Sequence, residues 1–378
     1  MPKVDEALHF DDYRDQTAVK HDLLEAYLNP YFHILKDDHP HLLYIDGFAG
    51  EGVYNSNGKL HFGSPLRAMK LVADTPNLTD KVDFCFIEKR DEAFPVLKNA
   101  VESFHREHPT VRKPKLYHAS FEQGLQQFLD ARGNRLPPTF LFVDPCGVAG
   151  TSFQAIKQVV SFRSCEAFIL YNIAGVRRII GQGKVGPALL GLMGSEERAR
   201  QMISLGGERA LLDCYLDTLR KDLGLTFLIP FRIEFSDKRQ TSHYLIHATK
   251  NKRGFAIMKD IMWMRGRSPE GDGCFEFTQA SHTGVKYMSL FEEVPDDKQA
   301  ILKALATGPK VVSYFTEDWV VRPDDVGCRS SYRTALLELE QDRKIEVIKD
   351  GLPVPASARP RPKGKVTIAE HYDVRLCA

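Results

Sequence analysis

Leu42-Leu43-Tyr44-Ile45-Asp46-Gly47-Phe48-Ala49-Gly50-Glu51-Gly52 runs from an apolar stretch through an acid into a glycine-rich turn. The four apolar residues before Asp46 suit a strand covered on both faces. Gly47, Gly50 and Gly52 permit a tight turn and let a ligand come close to the backbone. The stretch therefore reads as a buried parallel strand delivering its carboxyl end to a nucleotide-like ligand.

Three further strands end in the same manner. Asp83 to Glu88 finishes on an acid, Leu116 to Glu122 on polar groups that include Ser120, and Phe140 to Gly147 on Asp144-Pro145. A helical pattern follows each. In a doubly wound sheet, ligands sit outside the carboxyl ends of the strands at the switch point, so Asp46, Glu88, Ser120 and Asp144 are expected to converge on one crevice.

With those strand ends in order, the chain resembles the class I S-adenosylmethionine-dependent methyltransferases. More narrowly it is similar to the three-Cys-motif partner family, through Gln16-Thr17 and Lys20, Asp46 to Gly50, Gly63-Ser64-Pro65, Asp144-Pro145 followed by Gly147, and Tyr244-Leu245-Ile246 leading to Gly254 and Met258. The resemblance spans roughly residues 12 to 265. It implies a Rossmann-like sheet of seven strands with an antiparallel last pair, S-adenosylmethionine as cofactor, and a companion radical enzyme that carries the three cysteines. It also implies that Asp46, Gly47, Phe48, Ala49, Gly50 and Gly52 meet the methionine part, Glu88 the ribose hydroxyls, and Ser120-Phe121 the adenine. Asp144 and Pro145 would then face the target. Two departures stand out. Residues 53 to 62 are inserted, with Asn57-Gly58 suited to a two-residue hairpin turn. The first helix starts late, with Ser64 read as its N-cap and Pro65 as its first helical residue. In addition, the fourth-strand turn reads Asp-Pro-Cys-Gly, without the aromatic that amino-methylating enzymes stack on a target base.

At 378 residues, 43% hydrophobic, the chain can bury a full core and has room for two or three domains. A formal charge of +1 gives no global pull toward nucleic acid or membrane, so any such binding must come from local patches. The seven cysteines form no C-x-x-C pair and no zinc spacing, and the thirteen histidines show no metal-ligand spacing, so no metal site is expected. A polar N-terminus and the lack of a run of ~18 apolar residues lead to the expectation of a reduced, cytoplasmic protein.

The organisation follows from the same patterns. Residues 16 to 36 read as a helix leading into the sheet, and a helical insertion of about fifty residues, 173 to 222, follows the fifth strand. Phe227 to Phe235 and Tyr244 to Thr249 read as the final antiparallel pair, which puts a methyltransferase-like domain at 1–290. Beyond it, residues 295–378 read as a winged-helix-like domain: helices at Asp297 to Ala306 and Ser330 to Gln341, then a hairpin of Ile345 to Lys349 with Val366 to Ile368. Residues 343 to 365 hold seven Lys/Arg against two Asp/Glu, so Arg359, Arg361, Lys363 and Lys365, with Arg333 on the helix, are the expected nucleic-acid contacts.

Each reading has a plainer counterpart. Glu88 and Asp144 also suit helix N-termini, Ser120 a cap, Cys146 a small buried residue, and Thr17 and Lys20 a solvated helix face. Three function classes fit the sequence. The first is a methyltransferase acting on nucleic acid, and so a DNA- or RNA-modifying transferase. The second is a catalytically silent adaptor that keeps the fold and recruits nucleic acid for its radical-enzyme partner. The third is a metal-dependent nuclease using Asp46, Glu88 and Asp144.

Overall fold

The computed structural model describes residues 5–56, 59–234, 240–266, 276–277, 297–322, 327–359 and 366–377. The chain divides into two compact units, residues 1–251 with 275–285, and residues 252–274 with 286–378. The sequence places that boundary near residue 290; by contacts, the helix Lys252–Gly266 groups with the second unit.

The first unit opens with helix α1 (Asp5–Leu35) and strand β1 (Leu42–Asp46), followed by the hairpin β2 (Val53–Ser56) and β3 (Lys59–Phe62). Alternation of strand and helix then runs α2 (Ser64–Ala73), β4 (Val82–Glu88), α3 (Ala93–Glu107), β5 (Lys115–His118), α4 (Phe121–Ala131), β6 (Thr139–Val143), α5 (Phe153–Val160) and β7 (Cys165–Tyr171). The expected helical insertion is four helices, α6 (Ile173–Ile180), α7 (Pro187–Met193), α8 (Glu196–Ile203) and α9 (Glu208–Leu223), before β8 (Phe227–Glu234) and β9 (Thr241–Thr249).

These strands make one sheet in the order β10-β8-β9-β7-β6-β1-β4-β5, with β10 (Glu276–Phe277) at its edge. Strand β9 runs antiparallel to both β7 and β8, and the remaining pairs are parallel. This is the Rossmann-like, doubly wound α/β arrangement expected, seven strands with an antiparallel last pair, to which the two-residue β10 adds an eighth at the edge. The added strand comes from residues beyond the final antiparallel pair, where no run of alternating residues announces it. Every residue of β1, β6 and β7 is buried, as central parallel strands covered on both faces require. On one face Tyr27, Tyr31 and Phe32 of α1 pack near Phe140, and Tyr27 Oη donates to Glu166 Oε2 at 2.5 Å, which also meets His247 Nε2 at 2.9 Å. On the other, Phe121, Leu125 and Phe128 of α4 and Ile156 and Val159 of α5 join Ile45, Ile87 and Leu141 in the core.

The hairpin β2–β3 forms as expected, pairing Ser56 with Lys59; the turn residues Asn57 and Gly58 lie outside the described residues. Ser64 is not the N-cap of α2. Gly63 caps it, held by its N–H to the Gly52 carbonyl at 2.8 Å, and Ser64 is the first helical residue, with its hydroxyl turned to Asp46.

The second unit holds α10 (Lys252–Gly266), α11 (Asp297–Leu305), β11 (Lys310–Val311), a π-helical turn Tyr314–Trp319, α12 (Arg329–Gln341), β12 (Ile345–Lys349), β13 (Leu352–Pro353) and β14 (Asp373–Leu376). Its sheet order is β11-β14-β12-β13, all antiparallel, over a core of Ile301, Phe315, Tyr332, Leu336, Val347 and Val374. The strand expected at Val366 to Ile368 is not one. Ile368 is buried in the core, and β12 pairs instead with β14, where Val374 points inward and Arg375 meets Glu346 across the pair at 2.5 Å.

Candidate functional site

Strand β1 is the switch strand: the chain moves from it to β4 and β5 on one side, then returns to β6 on the other. The crevice of such a sheet lies outside the carboxyl ends of β1 and β6, where Asp46 and Asp144 stand. The turn after β1 is tied to both neighbours, Gly47 N–H donating to the Phe142 carbonyl and Ala49 N–H to the Ile87 carbonyl, each at 2.9 Å.

Asp46 is fully buried. Its carboxylate accepts from Phe48 N–H at 3.1 Å, from Tyr44 Oη at 3.3 Å, and from the Ser64 hydroxyl. Burial raises its pKa to about 7, against these hydrogen bonds, and the nearby Asp144 charge raises it further. Asp46 thus fixes the turn from beneath instead of facing the crevice.

Glu88, also buried, clamps the glycine turn. Oε2 accepts from Gly50 N–H at 2.8 Å, while Oε1 accepts from the Arg90 backbone N–H at 2.8 Å and from Arg90 Nε at 3.1 Å. Gly50 and Gly52 have φ of +60° and +70°, the left-handed region that glycine occupies without strain. Phe121 lies directly on Gly47, where a Cβ would come within 2.6 Å of its ring, and its ring centroid is 5.4 Å from that of half-buried Phe48. Ser120 is the N-cap of α4, accepting from Gln123 N–H at 3.4 Å, so its plainer reading as a cap holds.

Asp144 is held by a residue 124 positions away: Lys20 Nζ donates to its Oδ2 at 2.6 Å, with both side chains largely buried. The register of α1 explains this reach. Tyr31 Oη bonds the Ser164 carbonyl just before β7 at 3.3 Å, and Tyr27 meets Glu166, so the helix runs back over the sheet. Lys20 precedes Tyr27 by two helical turns, about 10 Å, which brings it to the carboxyl end of β6. Thr17 and His21 share that helix face with Lys20. Thr17 Oγ1 and His21 Nδ1 are buried polar atoms that find no partner among the described residues. His21 is held neutral, its pKa lowered to about 3 by burial and then by Lys20 and Arg67. His243, on β9, is lowered to about 4 by burial and by Lys20, against Asp144. Pro145 is buried behind Asp144, whereas Cys146 is exposed, contrary to its reading as a buried filler.

The structure brings Asp46, Gly47, Phe48, Ala49, Gly50, Gly52, Glu88, Phe121 and Asp144 together at the carboxyl ends of β1, β4 and β6. The sequence does not single out His21 or His243, which are defined by contacts far along the chain, and it reads Ser64 as a helix cap where the structure turns its hydroxyl to Asp46. Lys20 and Thr17 are not on a solvated face.

In the second unit, Arg333 pairs with Glu370, and Arg359 is fully buried against Glu340. Arg359 thus has no exposed guanidinium to offer a phosphate. Arg361, Lys363 and Lys365 lie outside the described residues. Among the described residues no three His, Cys, Asp or Glu side chains are grouped to hold a metal ion, and no helix is long and apolar enough to cross a membrane.

No family model matches the chain, and no curated protein sequence matches it. Solved structures do. Protein LPL1258 from Legionella pneumophila is 12% identical, with a TM-score of 0.40, over 61% of this chain and 84% of that one. A putative rRNA-methylase from Clostridium thermocellum is 11% identical, with a TM-score of 0.28, over 59% and 97%. Trm1 from Pyrococcus horikoshii, in complex with S-adenosyl-L-methionine, is 12% identical, with a TM-score of 0.31, over 65% and 58%.

Proposed function

We propose that the first unit binds S-adenosylmethionine at the carboxyl ends of β1, β4 and β6 and transfers its methyl group to a polar atom of a nucleic acid. The observation behind this reading is the pair of acids on either side of the crevice. Glu88 clamps a left-handed glycine turn, and Asp144 keeps one oxygen open.

The residues fit such a cofactor. A carboxylate has about four acceptor sites. Glu88 uses three of them on Gly50 and Arg90, so a ribose hydroxyl can take the fourth, and a second can replace the exposed Arg90 side chain. Gly50 and Gly52 present no side chain at those two points of the turn, and half-buried Phe48, packed on buried Phe121, offers apolar surface to a flat ring. The cofactor's own electrophilic methyl supplies the reactivity. The protein supplies position and a proton acceptor. Asp144 Oδ2 is pinned by Lys20, while Oδ1 has no partner among the described residues and can accept an N–H or O–H of the target. Thr17 Oγ1 and the neutral His21 Nδ1 are further hydrogen-bonding atoms on the Lys20 face of α1.

Nucleic acid as the target rests on the second unit. Its order of helix α11, strand β11, turn, helix α12 and strands β12, β13 and β14 supports a winged-helix reading, for which Arg361, Lys363 and Lys365, outside the described residues, are the proposed phosphate contacts. Partnership with a three-Cys-motif radical enzyme rests on the sequence motifs alone. The adaptor reading keeps one supporting observation: Lys20 already occupies Asp144.

The test is transfer of a labelled methyl group from S-adenosylmethionine to bulk RNA and DNA by the intact chain. Asp144→Asn should reduce turnover by about 10²-fold or more while leaving cofactor affinity within about twofold. A parent that binds the cofactor but labels neither nucleic acid supports the adaptor. An Asp144→Asn variant that turns over like the parent removes Asp144 from the chemistry.

A further inference from the structure

At the opposite end of the sheet, where the strands begin, an open surface depression of about 420 Å³ is lined by His41, Arg132, Arg135, Leu136 and Pro137. We propose that it binds a nucleotide, with the phosphate on the arginines and the base against Leu136 and Pro137. The inference does not depend on the methyltransferase reading. The length of β1, five residues, separates this depression from Asp46 by roughly 16 Å.

The arginines are preorganised. Asp83, at the start of β4, accepts from Arg112 Nη1 at 2.8 Å and from Arg132 Nη1 at 3.3 Å. One carboxylate thus holds two guanidiniums in place and neutralises only one of them. Arg112 Nη1 also lies 3.1 Å from His41 Nδ1, which brings it to the wall of the depression. Arg135 is exposed and makes no ion pair among the described residues. Arg112, Arg132 and Arg135 against Asp83 leave an excess of two positive charges around one hollow. Guanidinium forks match phosphate oxygens in pairs, which favours a phosphate over a simple halide or carboxylate.

The floor is rigid as well. Arg132 closes α4, and Gly133 and Asn134 turn the chain in the left-handed region, with Asn134 N–H on the Leu129 carbonyl at 2.9 Å. Pro137-Pro138 follow, with the Pro138 carbonyl accepting from Leu43 N–H at 3.0 Å and the Pro137 carbonyl from Thr139 Oγ1 at 2.7 Å. Half-buried Leu136 and Pro137 thus form a fixed apolar ledge beside the basic wall, and that pairing of surfaces is what a base with an attached phosphate requires.

The probes are inorganic phosphate, uridine and uridine 5′-monophosphate, titrated by calorimetry into the full chain with and without excess S-adenosylhomocysteine, so that the readout stands whether or not the other end of the sheet takes that ligand. Uridine 5′-monophosphate should bind at least tenfold more tightly than either phosphate or uridine. Arg135→Glu, an exposed change with no partner to disturb, should weaken it at least tenfold and leave S-adenosylhomocysteine binding unchanged. Arg132→Gln should also weaken it, with folding checked by circular dichroism. The proposal is overturned if the nucleotide binds no better than phosphate alone, or if Arg135→Glu binds it as the parent does.

Discussion

Asp46 stands where its sequence places it, at the end of β1, and its carboxylate is engaged by Tyr44, Phe48 and Ser64. Its position after four apolar residues marks a strand end, but one of the groups that satisfy it, the Ser64 hydroxyl, comes from a helix that starts beyond an inserted hairpin. With a folded pKa of about 7 against roughly 3.9 when unfolded, this carboxyl binds more protons in the folded state between those values. Its contribution to stability therefore falls as pH rises from about 4 to 7 and stays constant above. In Asp46→Asn that loss disappears, so the variant should gain on the parent by on the order of 2 kcal/mol between pH 5 and pH 8 in urea unfolding. His21 and His243, held neutral by burial, act in the opposite sense below pH 6.5, but they are common to both proteins and cancel in the comparison. A difference between variant and parent that does not change with pH would show that Asp46 is ionised throughout. Lys20 is the complementary case: on sequence alone a lysine on a helix is a solvated charge, and only its register against Tyr27, Glu166 and Asp144 makes it a buried one.

Among the elements, the turn from β1 to the hairpin has the sharpest constraints. Gly47 and Gly50 need glycine for different reasons. At Gly47 a Cβ would strike the Phe121 ring at 2.6 Å, whereas at Gly50 it would meet nothing nearer than Arg90 at 3.8 Å, and the obstacle is φ of +60°. Gly47→Ala should cost about 1–3 kcal/mol by overpacking and be partly rescued by Phe121→Leu. Gly50→Ala should cost about 1–2 kcal/mol by backbone strain and not be rescued. Equal response of the two to Phe121→Leu in urea unfolding would contradict this distinction. Elements with strong local pattern were legible: the strands ending at Asp46, Glu88 and Asp144, the helical insertion after β7, and the helix ending at Gln341. The misreadings came where pairing is chosen at long range. β12 takes β14 as partner because Val374 fills the core while Asp373 and Arg375 face outward, a choice that the apolar run at Val366 to Ile368 obscures.

On the scale of the whole molecule, a formal charge of +1 leaves function to local arrangements, and the first unit concentrates them at the two ends of one sheet. At one end are the acids Asp46, Glu88 and Asp144; at the other is the basic hollow around Arg132 and Arg135. The central claim is that the acid end receives S-adenosylmethionine through Glu88. Calorimetric titration of S-adenosylmethionine and S-adenosylhomocysteine into the parent and Glu88→Gln tests it most directly. The parent should bind both, and Glu88→Gln, which keeps the shape of the side chain but loses its charge, should bind each about 10- to 100-fold more weakly, corresponding to about 1.5–3 kcal/mol. A parent that binds neither ligand, or a Glu88→Gln variant that binds both as tightly as the parent, would contradict it.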